Sequence, residues 1–258
     1  MRLLLTNDDG IFAAGLESLR LALADLAREI YIIAPDRERS ATGHSITVHR
    51  PIRVREACYN PGNCRGWVVD GTPVDCVKLG LESLLPEMPD LVISGINYGP
   101  NLGTDVLYSG TVSAAMEGLI NGVPALAVSL ASHREPAFEY TAAFTRRLVP
   151  LILGHREKLA PGTLLNINVP PGKPVGHKIT KLGNLRYANA VDRRTDPRGR
   201  DYYWMAGKPF SPDSHDPNTD IAAVRDGYIS IAPVHFDLTD YRAIEVLKDW
   251  SIEWMEYD

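Results

Sequence analysis

The sequence has no long apolar run, few cysteines and no strong excess of one charge. None of its apolar runs approaches about 18 residues, and its N-terminus lacks the basic flank, apolar core and small-residue cleavage site of a signal peptide. Three cysteines occur, at positions 58, 64 and 76, without the paired spacing of a metal site, so we expect reduced thiols. Together these absences predict a cytoplasmic protein without a membrane partner.

The charge balance excludes a further class of partner. The 258 residues contain 27 basic and 32 acidic side chains, a net charge of −5, with no long run of one sign. A surface that binds a nucleic-acid polymer needs clustered positive charge, so we do not expect such a partner. The chain is long enough to bury the core of one α/β domain with an extension, or of two modest domains.

The first ten residues contain a short apolar run followed by two adjacent carboxylates. Residues 2–6 are too few for a helix, and Asp8, Asp9 and Gly10 follow closely, which is typical of a buried parallel strand that ends in a polar turn. Ligands of open α/β sheets bind beyond the carboxyl ends of such strands. Because neighbouring carboxylates repel each other, Mg²⁺ or Mn²⁺ would relieve the pair. A plain turn is the alternative for this motif alone.

Helix and strand patterns alternate after residue 10. Leucines at helical spacing in residues 15–28 and the apolar run 30–34 predict a β-α-β unit. The alternation continues with strands at 91–94, 125–128 and 164–169 and helices at 73–85, 112–121 and 137–153. It predicts an α/β fold with a mostly parallel sheet. Since the alternation stops at residue 176, we predict a catalytic core over residues 1–176 and a C-terminal extension over residues 177–258.

Polar loops follow two of the later strands. Ser40 lies in a hydroxyl-rich stretch after the second strand, and Asn97 lies in the long glycine-rich loop after a later buried strand. That loop ends in Ser109-Gly110-Thr111 at the start of a helix, whose free backbone amides attract anions. Because the carboxyl ends of parallel strands meet at one edge of a sheet, we expect these groups to converge with the two carboxylates.

The donor atoms of this predicted site are all oxygens. Two carboxylates, a hydroxyl and an amide oxygen suit Mg²⁺, Mn²⁺ or Ca²⁺ rather than zinc. A metal beside an anion site is suited to hydrolysis of a phosphate ester, because the metal polarises a phosphoryl oxygen and can activate water. Ser40 and Asn97 taken singly are more typical of turns, so the prediction depends on their convergence.

Several motifs, in the same order along the chain, resemble the SurE survival-protein family. The resemblance covers most of residues 1–130 and continues more loosely through 220–224, 227–230 and 237–239. Its motifs are Thr6-Asn-Asp-Asp-Gly10, the loop with Ser40 that ends in Gly43-His-Ser-Ile-Thr47, Gly71-Thr-Pro-Val-Asp75, Ser94-Gly-Ile-Asn-Tyr-Gly99 with Asn101, and Ser109-Gly-Thr-Val112.

This resemblance implies a Rossmann-like three-layer sandwich and a divalent-metal-dependent phosphatase, a 5′-nucleotidase. The implied substrates are nucleoside 5′-monophosphates, then 3′-monophosphates and short polyphosphate, cleaved by metal-activated water. The implied cofactor is one Mg²⁺ or Mn²⁺ per subunit, and the implied assembly is a homodimer or homotetramer that exchanges C-terminal elements. The resemblance implies metal ligation by Asp8, Asp9, Ser40 and Asn97, phosphate binding by Asn101, Ser109, Gly110 and Thr111, and catalysis by Asp8, Asp9 and Asn101.

A receiver-like metal-binding signalling module is the main alternative, because it also carries an acidic pair after its first strand. Receivers need a lysine after the fifth strand, and residues 125–130 contain none. A dinucleotide-dependent oxidoreductase would need Gly-x-Gly-x-x-Gly after the first strand, which this sequence lacks. A phospho-aspartate phosphatase would need carboxylates two residues apart, so adjacent Asp8 and Asp9 favour direct attack by water.

Other residues keep more than one interpretation. His44 and His235 are either acid groups of the site or solvated histidines. The basic and aromatic residues of 193–204 either stack on bases and hold phosphates or form a hairpin that contacts another subunit, and the aspartates among them favour the hairpin. Residues 239–255 predict a terminal helix whose aromatic side chains, Trp254 among them, pack on their own chain or on another subunit. A valine at position 110 is expected to crowd a bound phosphoryl group while leaving the metal ligands in place.

Overall fold

The computed structural model describes residues 1–57, 59, 63–132, 134 and 136–250. The α-helices of this part are α1 (Ala14–Leu23), α2 (Pro73–Leu79), α3 (Gly110–Ile120), α4 (Glu139–His155), α5 (Asp220–Arg225) and α6 (Tyr241–Lys248). Its strands are β1 (Arg2–Thr6), β2 (Glu29–Pro35), β3 (Val54–Ala57), β4 (Cys64–Val69), β5 (Leu91–Tyr98), β6 (Ala125–Leu130), β7 (Leu164–Val169), β8 (Gly176–Ile179), β9 (Arg186–Ala188), β10 (Val191–Thr195), β11 (Asp201–Met205), β12 (Lys208–Phe210) and β13 (Tyr228–Val234).

The main sheet has the order β3-β4-β2-β1-β5-β6-β7-β13-β8. All neighbours from β4 to β7 are parallel, while β3 is antiparallel to β4 and β13 is antiparallel to β7. The predicted mostly parallel sheet is therefore confirmed. The chain runs outward from β1 to β4 and then returns to the other side of β1 with β5. The order thus reverses between β1 and β5, which is where ligands of such sheets bind.

Helices cover both faces of the sheet, as a three-layer sandwich requires. Leu3 and Leu5 of β1 pack in one core with residues of α1 and α4. Leu4 points to the opposite face and packs in a second core with residues of α2 and α3. Because both faces of β1 are buried, its apolar run is continuous rather than alternating, and each buried leucine stabilises the fold by about 1.5–3 kcal/mol. The predicted Rossmann-like sandwich is confirmed.

The predicted boundary at residue 176 falls at the start of a strand of the main sheet. β8 begins at Gly176 and pairs in parallel with β13, and β13 pairs with β7. Strands from residues 177–258 therefore complete the main sheet, and the division into a catalytic core and an extension stays a prediction. The remaining strands form two small sheets, β9 with β12 and β10 with β11.

The terminal helix is shorter than the sequence predicts. α6 covers residues 241–248 instead of 239–255, and residues 251–255, with Trp254, lie outside the described part of the chain. None of the residues of α6 is buried. No helix among the described residues is long and apolar enough to cross a membrane.

Candidate active site

A pocket of about 380 Å³ opens at the carboxyl ends of β1 and β5, at the reversal of the strand order. It is therefore placed where the topology of the sheet predicts a ligand. Six of the predicted site residues line it, namely Asp8, Asp9, Ser40, Asn97, Asn101 and Ser109. Its further lining residues are Glu38, Ala41, Tyr98, Gly99, Pro100, Asp105, Tyr108 and Tyr187.

Asp8 and Asp9 follow β1 and differ in their surroundings. Asp8 is 5% exposed and accepts a hydrogen bond from the Thr111 hydroxyl at 2.5 Å. Burial raises the pKa of Asp8, and the bond from Thr111 opposes that rise. Asp9 accepts the backbone N–H of Tyr98 at 3.2 Å, and its pKa is raised to about 6 by burial and by the neighbouring charge of Asp8. Both carboxylates would be ionised more easily beside a cation.

Asn97 reaches the pocket because the edge between β5 and β6 is irregular. The register of these strands shifts between Ser94 and Asn97. Gly95 lies in this shift with a φ of +137°, and a Cβ atom there would approach the Val128 carbonyl oxygen to 2.2 Å. Only glycine fits such a position. The Asn97 amide nitrogen donates to the Gly99 carbonyl oxygen at 2.8 Å, so the side-chain oxygen of Asn97 is the atom available to a cation.

The loop that carries Ser40 is tied to the rest of the pocket through its backbone. The Arg39 N–H donates to the Asp8 carbonyl oxygen at 2.7 Å, and the Gly43 N–H donates to the Tyr108 carbonyl oxygen at 3.0 Å. Ser40 itself is exposed, and its hydroxyl donates to Glu38 at 2.6 Å. These two backbone hydrogen bonds, one before Ser40 and one after it, therefore hold the loop at the rim of the pocket.

The start of α3 lies directly behind Asp8. Ser109 caps the helix, its hydroxyl accepting the Val112 N–H at 3.0 Å. A Cβ atom on Gly110 would lie 2.8 Å from the Cβ atom of Asp8 and 2.9 Å from its Oδ2. The expectation that a valine at this position would leave the metal ligands in place is therefore wrong. Thr111 supports Asp8 through both its hydroxyl and its backbone N–H, and the Ser109 N–H donates to the Asp105 carbonyl oxygen at 3.1 Å. The Gly110 N–H is therefore the amide of this first turn that remains for an anion.

Asn101 is held by a buried network of amides that the sequence analysis did not predict. Its backbone N–H donates to Asn168 at 2.8 Å, and its carbonyl oxygen accepts from Asn166 and Asn168, each at 2.9 Å. Its side-chain nitrogen donates to Ser129 at 2.8 Å, which leaves one N–H for a ligand. Two asparagines two residues apart in a buried strand were the available signal, since such a strand otherwise carries apolar residues.

The pocket is acidic. Four carboxylates line it, those of Asp8, Asp9, Glu38 and Asp105, and the described lining residues include neither lysine nor arginine. No group of three or more His, Cys, Asp and Glu side chains in the described chain is placed to hold a metal ion. The oxygens that the pocket offers, from carboxylates, hydroxyls and amides, are of the kind that hard divalent cations bind.

The two histidines with open roles lie away from this pocket. His44 and His235 line a separate, mainly apolar groove of about 370 Å³. The His44 Nε2 atom lies 2.9 Å from the buried carboxylate of Glu117 on α3. Burial works against ionisation of Glu117, but hydrogen bonds from His44 and Asn121 outweigh it and lower the pKa of this carboxyl. Neither histidine lines the acidic pocket.

The comparisons with known proteins agree with one another. The family model described as "Survival protein SurE" matches residues 3–189. A relative from Desulforudis audaxviator is 78% identical over 98% of this chain and 99% of its own length, and one from Pelotomaculum thermopropionicum is 64% identical over 96% and 94%. Both are named "5′-nucleotidase SurE". The crystal structure of the SurE protein from Aquifex aeolicus is 41% identical and superposes with a TM-score of 0.81 over 96% of this chain and 100% of that one.

Proposed function

The chain belongs to the SurE family of survival proteins, and on this basis we propose that it is a 5′-nucleotidase that removes phosphate from nucleoside 5′-monophosphates. The names of its close relatives support the reaction. Nucleoside 3′-monophosphates and short polyphosphate are proposed as weaker substrates, since they present the same phosphoryl group. We keep the cytoplasm as the proposed location.

The observation that carries this proposal is a helix start at the wall of an acidic pocket. Ser109, the cap of α3, lines a pocket with four carboxylates and no basic side chain among its described lining residues, and the Gly110 N–H follows in the first turn of the helix. A phosphate ester is itself negative, so it would be repelled unless a cation stood between it and the carboxylates. We therefore propose that one Mg²⁺ or Mn²⁺ ion is required per subunit.

The residues that would hold the cation are Asp8, Asp9, Ser40 and Asn97. When bound there, a divalent cation supplies the charge that neutralises the phosphoryl oxygens and lowers the pKa of a water molecule. Thr111 keeps the carboxylate of Asp8 oriented, as its hydrogen bond indicates. The Gly110 N–H and the remaining side-chain N–H of Asn101 would bind the phosphoryl oxygens.

Phosphate release from a panel of esters tests the substrate class. We expect adenosine and guanosine 5′-monophosphates to be cleaved with the highest kcat/KM, 3′-monophosphates less well, and ribose 5-phosphate and glycerol phosphate least. Mg²⁺ or Mn²⁺ should support the reaction better than Zn²⁺, because the donor set lacks nitrogen and sulfur. A preference for glycerol phosphate over every nucleotide would contradict the assignment to nucleotidases.

We also propose that the protein forms a homodimer or homotetramer. The subunits would contact each other through those parts of residues 177–258 that lie outside the main sheet. The exposed helix α6 and the residue Trp250 that follows it support this, because Tyr241, Leu247 and Trp250 leave apolar surface in contact with water. A chain that lacks residues 239–258 should form a smaller assembly, or aggregate, when its mass is measured by light scattering. A well-behaved truncated protein with an unchanged number of subunits would place α6 on its own subunit.

A further inference from the structure

A residue from beyond the predicted catalytic core reaches the acidic pocket. Tyr187 of β9 lines the pocket together with the two carboxylates that follow β1. Its ring is 43% exposed, and its hydroxyl donates a hydrogen bond to the side chain of Asp105. Tyr108, which is 65% exposed, lines the same pocket. The pocket therefore has aromatic surface beside its charged surface.

The contact of Tyr187 with the pocket is built into the fold by a buried carboxylate. Asp220 accepts the Gly103 N–H at 2.7 Å and the Gly183 N–H at 2.8 Å, and so joins the pocket loop to the segment before β9. The Thr104 hydroxyl also donates to the Leu185 carbonyl oxygen. Tyr187 thus follows a segment that is bonded to the loop that carries Asp105.

The chemistry of this pair matches the part of a nucleotide that is not phosphate. An exposed aromatic ring offers a face on which any nucleobase can stack. A carboxylate accepts hydrogen bonds from ribose hydroxyls, and Asp105 uses one oxygen for Tyr187 and keeps the other. We propose that Tyr187 and Asp105 form a nucleoside subsite, in which the ring stacks on the base and the carboxylate accepts a hydrogen bond from the ribose.

This inference rests on the proposed nucleotidase function and adds the residues that select nucleosides. Three substrates separate the contacts: adenosine 5′-monophosphate, its 2′,3′-dideoxy analogue and ribose 5-phosphate. Tyr187→Ala should raise KM about tenfold for both nucleotides, since loss of a stacked ring costs about 1–3 kcal/mol per base, and should change KM for ribose 5-phosphate less than about twofold. Tyr187→Phe keeps the ring and should stay within about threefold of the wild type on all three.

Asp105→Asn tests the ribose contact separately. The kcat/KM of this variant should fall about fivefold to tenfold for the ribonucleotide and should not change for the dideoxy analogue. Only the ribonucleotide has 2′ and 3′ hydroxyls that can donate to Asp105. Adenosine alone, as a competitive product inhibitor, should bind about tenfold more weakly to Tyr187→Ala than to the wild type. Tyr140→Ala is the matched control, because Tyr140 is 45% exposed on α4 and does not line the pocket. The kinetic and inhibition constants of this variant should equal those of the wild type.

The results separate this inference from the proposed function. Failure of the wild type to cleave adenosine 5′-monophosphate would overturn the nucleotidase assignment itself. If the wild type cleaves it and Tyr187→Ala leaves KM and adenosine inhibition unchanged, the subsite is refuted. If Tyr187→Ala raises KM equally for nucleotides and for ribose 5-phosphate and also lowers Tm, the subsite is refuted as well. Tyr187 would then only stabilise the small sheet of β9 and β12.

Discussion

Asp9→Asn should abolish nucleotide hydrolysis and at the same time stabilise the metal-free protein at neutral pH. The substitution removes the charge of one of the two carboxylates proposed to bind the metal, in a pocket that contains no basic lining residue among those described. We expect kcat/KM to fall on the order of 10³-fold or more, which corresponds to about 4 kcal/mol of transition-state stabilisation. Phosphate release from adenosine 5′-monophosphate at saturating Mn²⁺ measures this loss.

The gain in stability follows from the pKa of Asp9. Burial and the charge of Asp8 raise this pKa from 3.8 to about 6, so the folded protein binds the proton more tightly than the unfolded chain does. The free energy of unfolding of the metal-free wild type should therefore decrease as the pH rises from about 4 to about 6. With allowance for the partial exposure of Asp9, the decrease is roughly 1–3 kcal/mol. Asparagine does not titrate, so the variant should escape this decrease.

Thermal unfolding in the presence of a chelator, at pH 4 and at pH 7, measures the second effect. Asp90→Asn is the matched control, because Asp90 lies at the opposite end of the sheet and accepts the Arg2 N–H at 2.7 Å. This control should keep its activity. Because it retains Asp9, its metal-free form should show the same decrease in stability from pH 4 to pH 7 as the wild type. An Asp9→Asn protein that retains more than about a tenth of wild-type kcat/KM would show that Asp9 is not a metal ligand.

Gly110→Val should damage the site more than any loss of a single hydrogen bond. The new side chain would collide with Asp8, whose Oδ2 lies 2.9 Å from the position of the added Cβ atom. Asp8 cannot turn away without breaking its bond to Thr111, so both the carboxylate and the start of α3 must shift. Overpacking of this kind costs about 1–3 kcal/mol of stability, and we expect weaker Mn²⁺ binding together with a fall of at least about a hundredfold in kcat/KM.

Gly154→Val is the matched control for this prediction. Gly154 lies in α4, and a Cβ atom there would meet nothing within 4 Å. Its kinetic constants and Mn²⁺ affinity should equal those of the wild type, with a small change in Tm from helix propensity. Wild-type kinetics for Gly110→Val would show that phosphate does not bind at the start of α3.

The convergence of the site could be predicted because it follows from a general property of parallel sheets. Asp8, Asn97 and Ser40 each follow or end a strand, and such ends meet at one edge. Local motifs were sufficient to predict where these residues lie, since the prediction needed only a strand and the turn that follows it. The family resemblance added Asn101, which no pattern in the sequence singles out.

The contacts that could not be predicted join segments far apart in the chain. Tyr187 comes from a small separate sheet, and its approach to Asp105 depends on the Asp220 contacts with two loops. The close packing of Gly110 on Asp8 is likewise a tertiary contact, so the effect of a valine there was misjudged. The antiparallel insertion of β13 between β7 and β8 has no local signature either, because strand order is set by how the faces pack.

Titration of Mn²⁺ into chelator-treated protein, with bound metal and phosphate release measured in the same samples, tests the central claim most directly. The claim is that phosphate is cleaved in the acidic pocket with one divalent cation held by Asp8 and Asp9. We predict no release of phosphate from adenosine 5′-monophosphate without metal, and a rise in proportion to bound Mn²⁺ that ends at one ion per chain. The Asp9→Asn protein should show neither tight binding nor release. Full activity of wild-type protein that carries no bound metal would contradict the account.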